Sequence, residues 1–224
     1  MTVAISHVWY WDCIIELIMV AILALISFHS YSIYKIMREN KYKWFSYSFF
    51  AIALAFVGRI AMNFIIYTHQ IRRVVSGAVI ATFRQTNASD VLWHYGLFTY
   101  RSLMLIGLLG IFLIITDSKE KKNWILMFYL AALTAFTSMQ IPYIFNLSTA
   151  VILGLIFVKF AQNYIKHPRR STFGVTAAFL TIFFSQVTFI FVSFNHSLYI
   201  AGEIIQLLGY LLLLAVYVAI LRVR

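Results

Sequence analysis

The stretch His196–Arg224, HSLYIAGEIIQLLGYLLLLAVYVAILRVR, begins with a histidine, carries Glu203 two helical turns later and Gly209 six residues after that, and otherwise runs almost wholly apolar to Arg222. A run of this kind reads as a bilayer-crossing helix, because about 20 apolar residues span the roughly 30 Å hydrocarbon core. Glu203 then sits as a carboxylate in oil, where an unpaired charge costs at least about 2.5–3.5 kcal/mol. An earlier stretch, His94–Thr116, HYGLFTYRSLMLIGLLGIFLIIT, repeats the layout: Arg101 follows its histidine by seven residues, Gly107 comes six beyond that, and Gly110 follows. Acid in one copy and base in the other point to an internally duplicated membrane protein with a charged layer at one depth.

The bulk numbers agree. At 62% hydrophobic, 18% aromatic and 11% charged residues, with a mean hydropathy of +0.87, the 224-residue chain is too apolar for a soluble domain, whose apolar share is nearer half. The expected environment is the lipid bilayer, as a multi-pass protein of the cell membrane. A net charge of +11 would suggest nucleic acid in a soluble protein. Here most lysines and arginines lie in short connections between apolar runs, which is a topology signal, and no nucleic-acid partner is expected. The lone cysteine, Cys13, excludes an intrachain disulfide and a cysteine-rich metal site. The first apolar run lacks a basic leader and is too long for a signal peptide, so it counts as a span.

Seven spans are predicted, at about 8–34, 45–68, 93–116, 123–140, 143–164, 172–193 and 197–221, giving an all-α integral membrane fold in a single domain, 1–224. Pro142 and Pro168 both fall in connections, and Pro142 suits the first turn of the fifth helix. Basic residues cluster after the first helix (Lys35, Arg38, Lys41, Lys43), the third (Lys119, Lys121, Lys122), the fifth (Lys166, Arg169, Arg170) and the seventh (Arg222, Arg224). The connections around Ile141 and Asn195 carry none, so the amino terminus is expected outside and the carboxyl terminus in the cytoplasm. Arg72, Arg73 and Arg84 depart from this pattern in a longer outer segment, IRRVVSGAVIATFRQ, which reads equally as a hairpin turning at Ser76-Gly77 or as an interfacial helix. The N-x-[ST] triplets at Asn87, Asn146 and Asn195 all fall on the predicted outer side, and only Asn87 reads as accessible to a glycan.

Duplication is legible beyond one helix pair. The joint YKIMRENKYKWFSYSFFAIALAF between helices one and two matches FAQNYIKHPRRSTFGVTAAFLTIF between five and six, each a basic joint followed by a small-and-aromatic helix. His94/His196, Arg101/Glu203 and Gly107/Gly209 align without a gap. Two parallel triple-helix repeats follow, about 8–116 and 143–221, joined by a linker helix at about 123–140.

The charged residues supply the candidate site. Asp12, Glu16, Ser27, Ser30 and Tyr34 form a polar stripe on the first helix, and Arg59, Asn63, Tyr67 and Gln70 share a face of the second. At 1.5 Å per residue, Glu16, Arg59, Arg101 and Glu203 fall roughly 9–14 Å below the outer surface, with Gln186 close to that depth. These residues and Asn63 are the expected ligand-binding set, with Glu203 the protonatable group. The competing reading is purely architectural: Arg101–Glu203 and Arg59–Glu16 as ion pairs holding the bundle together. His7, His69, His94 and His196 lie near outer helix ends, but no two have the spacing that puts two ligands on one helix. A haem or metal site would have to draw His94 and His196 together from different helices; the expectation is no cofactor and no metal.

Trp9, Trp11, Trp44, Trp93 and Trp124 gather at predicted helix ends as a headgroup belt. Ala51, Ala53, Ala55, Gly58, Gly107 and Gly110 read as close-approach positions. No phosphate-cradling glycine loop, HExxH, nucleophile elbow or Ser/His/Asp set occurs, so an enzyme is not expected. With no lysine in the last span and Lys159 near the inner end of the fifth, a retinal Schiff base there is excluded.

Two triplets joined by a linker helix, with that orientation, resemble the three-plus-one-plus-three layout of sugar-transporting and PQ-loop membrane proteins. The paired Pro-Gln signature of those families is absent: Gln140-Ile141-Pro142 holds the two residues separated and reversed. The joint YKIMRENKYKWFSYSFFAIALAF also resembles seven-helix membrane sensor modules. These resemblances imply binding or translocation of a small solute or ion through the charged layer. The alternative is a non-catalytic subunit or sensor module with a membrane-protein partner or a second copy of itself, and a third reading is a haem- or metal-bearing electron-transfer subunit.

Overall fold

The computed structural model describes residues 2–76, 82–117, 121–195 and 197–222, with side chains over 11–64, 94–117, 124–141, 143–192 and 197–220 and at Lys122, Phe194 and Asn195. Seven helices occur among the described residues: α1 Thr2–Met37, α2 Asn40–Ser76, α3 Thr82–Ile115, α4 Lys121–Thr137, α5 Pro142–Lys166, α6 Arg170–Ile190 and α7 Ser197–Arg222, with a 3-10 turn at Phe191–Ser193. No strand is found among these residues. The protein is all-α, and six of its helices are long and apolar enough to cross a membrane.

The exception is α4. Its 17 residues rise roughly 26 Å at 1.5 Å each, short of the roughly 30 Å hydrocarbon core. The predicted span at 123–140 is cut back because residues 138–140 form a turn ahead of Pro142, which occupies the first turn of α5 as expected. In the segment after the second span, 71–76 continue α2 and 82–85 open α3, so helix flanks the expected hairpin turn on both sides; Gly77 lies outside the described residues. Asn195 is occupied locally: its Oδ1 accepts the Ser197 N–H at 3.0 Å, satisfying a donor at the start of α7. The side chains of His7, Trp9, Tyr67, His69, Gln70, Arg72, Arg73, Arg84, Asn87, Trp93, Lys119, Lys121, Arg222 and Arg224 lie outside the described ones.

Packing follows chain order. α1 lies on α2, α2 on α3, α3 on α5, α5 on α6, α6 on α7, and α7 closes on α1, while α4 touches only α3 and α5. Six helices therefore form a ring with α4 lodged against one corner. The ring is apolar outside, and its interior joins an apolar core (Met19, Phe49, Phe56, Leu108, Phe179) to buried charged and amide side chains. Leu17, Phe28, Phe50, Phe136 and Phe184 face outward, whereas Glu16, Arg101, Gln186, Glu203 and Gln206 are buried. A water-soluble protein has the opposite arrangement, and a bundle surrounded by lipid has this one.

Small residues set how closely neighbours approach. Ser27 and Ser46 exchange bonds across α1 and α2, each hydroxyl donating to the other's carbonyl at 2.9 and 2.8 Å. On α3, a Cβ at Gly107 would meet the Ile52 side chain and stand 2.8 Å from the Ser48 carbonyl of α2. On α7, a Cβ at Gly209 would meet Ile182 and stand 3.3 Å from the Ala178 carbonyl of α6. Gly107 and Gly209 thus do the same work against residues four apart on the preceding helix. Gly58 does not act as expected, because nothing lies within 4 Å of the position its Cβ would take.

These contacts predict opposite signs for two glycine substitutions. Gly107→Val should destabilise the folded state by about 1–3 kcal/mol through overpacking, whereas Gly58→Ala should stabilise it by about 0.5–1 kcal/mol through helix propensity. Unfolding titrations in a common detergent measure both, and equal tolerance at the two sites would contradict the packing.

Candidate charged site

Four helices contribute to a cluster centred on Arg59. α1 presents Asp12 and Glu16 one turn apart, α2 presents Arg59 and Asn63 one turn apart, and α7 presents Tyr199 and Glu203 one turn apart, so each helix delivers two polar groups to the same level. The Arg59 Nε lies 2.7 Å from Glu16 Oε1, and Nη2 lies 2.8 Å from Glu203 Oε1. Nη2 also donates to the Tyr199 hydroxyl at 2.7 Å and stands 4.0 Å from Asp12 Oδ1. Asn63 Nδ2 donates to Asp12 Oδ2 at 3.2 Å and to Glu16 Oε2 at 3.4 Å, and the Tyr199 hydroxyl donates to Asp12 Oδ1 at 2.9 Å. From α3, the Tyr100 ring lies 5.7 Å from the guanidinium carbon, within cation–π reach.

Oxygens of Asp12, Glu16 and Glu203 all lie within 4.8 Å of one another. That spacing would suit a hard metal cation. The guanidinium of Arg59 already stands among them as the cation, so the cluster is an ion network in which one planar fork serves carboxylates from two helices, with Glu203 Oε2 left without a hydrogen-bond partner.

Arg101 does not join it. The expected pair with Glu203 is not formed; Arg101 Nη1 instead donates to the Ser138 carbonyl and, at 3.2 Å, to the Ser138 hydroxyl, with the Phe145 ring 5.6 Å from its guanidinium carbon. The reason is the ring. α3 packs on α2, α4 and α5 with no close backbone approach to α7 among the described residues, so matched positions on the third and seventh helices face different neighbours. Ser138 follows the end of α4, where backbone carbonyls lack helical partners and a cation is favoured.

Between the two arginines lies a half-open cavity of about 180 Å³. Its polar wall is Arg59, Tyr100, Arg101, Asn146, Gln186, Tyr199 and Gln206, and its apolar wall is Leu97, Phe145, Phe189 and Val192. Of the six site residues named from sequence, Glu16, Arg59, Asn63 and Glu203 meet directly, while Gln186 and Arg101 line the adjoining cavity. Asn146, within one of the glycosylation triplets, also lines it. His94 is exposed and His196 lies outside the described residues.

Sequence reasoning passed over Tyr199, Gln206 and Tyr100, and treated Asp12 only as part of a stripe. The signal was present on α7: Tyr199, Glu203, Gln206 and Tyr210 step by four, three and four, which aligns them on one helical face.

No family model, no curated protein and no solved structure matches this chain. The likeness to three-plus-one-plus-three proteins therefore rests on helix number and order alone.

The geometry ranks the two arginines. Arg59→Met strands three carboxylates and should cost about 3–5 kcal/mol of stability, while Arg101→Met removes hydrogen bonds to one serine and should cost about 1.5–3 kcal/mol. Unfolding in one detergent system gives the order, and the reverse order would contradict the assignment of Arg59 as the hub.

Proposed function

We propose that this polytopic membrane protein binds, and in a transport cycle translocates, a small solute or ion through the cavity beside its charged layer. The observation that supports this is the space itself. An ion network serving architecture alone requires no opening, yet here about 180 Å³ adjoins Arg59 and is lined by a second arginine and three side-chain amides. Intramembrane ionisable groups facing a cavity are the usual mark of a solute or ion pathway. In this reading the amino terminus is outside, the carboxyl terminus is cytoplasmic and the cavity belongs to the outer half. The units α1–α3 and α5–α7 act as parallel repeats, a view supported by the matching roles of Gly107 and Gly209 against α2 and α6.

A second reading, a non-catalytic partner subunit or sensor module, draws on the Arg59 cluster itself, in which carboxylates, amide and hydroxyl from three helices engage one another. The two readings diverge in reconstituted vesicles. Gln186→Leu changes the cavity wall without touching the ion network, and it should lower solute uptake at least about tenfold, equivalent to about 1.4 kcal/mol, with unfolding unchanged. Wild-type vesicles no more permeable than empty ones to a panel of small anions, cations and neutral solutes, together with a stoichiometric co-purifying partner, would favour the second reading.

A further inference from the structure

We infer that the cavity takes a small monoanionic carboxylate, seated on Arg101 and held by the surrounding amides. The inference rests on the solute-binding reading above and names its substrate class.

The argument starts from which charges face the opening. Arg59 and Arg101 line it, and among the described residues no carboxylate does. Asp12, Glu16 and Glu203 engage Arg59 without reaching the cavity wall. Arg59 is committed through Nε and Nη2 to partners from α1 and α7.

Arg101 is placed differently. Among the described residues it has no acidic partner, and the bonds it makes to Ser138 both leave from Nη1. A guanidinium carries five N–H donors in a fixed plane, so Nε and Nη2 form an edge suited to the two oxygens of one carboxylate. An intramembrane cation lacking a counter-charge among the described residues is best neutralised by a bound anion.

The remaining wall describes the rest of the solute. Gln186 and Gln206 are 3% and 1% exposed, and Gln206 Oε1 has no hydrogen-bond partner. With Asn146 they offer side-chain amides that both donate and accept, which fits a hydroxyl beside the carboxylate. Size limits it further: about 180 Å³ falls below the roughly 300–1,000 Å³ of a pocket for a drug-sized ligand. Charge sets an upper limit as well. The carboxyl groups of Asp12, Glu16 and Glu203 already share Arg59, which leaves Arg101 as the cation for the solute, and one cation matches one negative charge. A short 2-hydroxy acid meets all of these conditions.

The test uses the full chain in phosphatidylcholine nanodiscs, titrated calorimetrically with sodium lactate, sodium phosphate, choline chloride and glycerol. Lactate should bind more tightly than the other three. Arg101→Gln should weaken it at least tenfold, and Arg101→Lys, which keeps the charge but loses the fork, should fall between. Because Arg101 also ties α3 to the end of α4, Gln206→Leu serves as a second variant that leaves the Ser138 contacts in place; it should weaken lactate several-fold. Choline or glycerol binding in preference to lactate, or lactate binding indifferent to both Arg101→Gln and Gln206→Leu, overturns the anion assignment while leaving solute binding intact. Absence of heat with all four solutes overturns the anion assignment, and vesicle uptake of other solutes then decides the broader reading.

Discussion

One arginine shared among three carboxylates is the constraint on which the joining of α1, α2 and α7 depends. Arg59 on α2 bridges Glu16 on α1 and Glu203 on α7, helices that close the ring opposite the α3–α5 contact. A carboxylate is tolerable inside a membrane bundle only when paired and hydrogen-bonded. Tyr199 and Asn63 complete the pairing by linking Asp12 to the same centre. The relative positions of α1, α2 and α7 are therefore coupled through one guanidinium.

Elsewhere the bundle is joined by more ordinary means. Serine exchange joins α1 to α2, and glycine contacts seat α3 on α2 and α7 on α6. In lipid, where apolar surfaces gain little from one another, close backbone approach and buried hydrogen bonds carry helix association. Ionisable groups in such a bundle are costly except against partners, and the Arg59 network draws Asp12, Glu16 and Glu203 to one centre. Arg101 connects the two themes: its Nη1 secures the end of α4, and the residue also lines the open space.

The helices were legible because apolar length is a one-dimensional property. All seven predicted spans correspond to helices, and α4 fell short only because a turn precedes Pro142. The site was legible in part. Glu16, Arg59, Asn63 and Glu203 were singled out because charge in an apolar run must be compensated, and they do converge. The partner of Glu203 was not legible, since alignment of Arg101 with Glu203 describes equivalence, and equivalent positions on α3 and α7 face different neighbours. Which helix adjoins which is a three-dimensional fact. The long reach of arginine adds to the difficulty, because it lets α2 bond to a helix with which its backbone makes no close contact. Tyr199 was hidden for another reason: among 14 tyrosines, one that donates to an aspartate cannot be told from one that sits at a headgroup.

The sharing of Arg59 is tested most directly by a double-mutant cycle between Arg59→Met and Glu203→Gln, read as unfolding free energies in one detergent. Direct pairing predicts that the two losses are far from additive, with a coupling of about 1–3 kcal/mol. Additivity within about 0.5 kcal/mol would mean that the two side chains do not meet, and the charged hub would not exist.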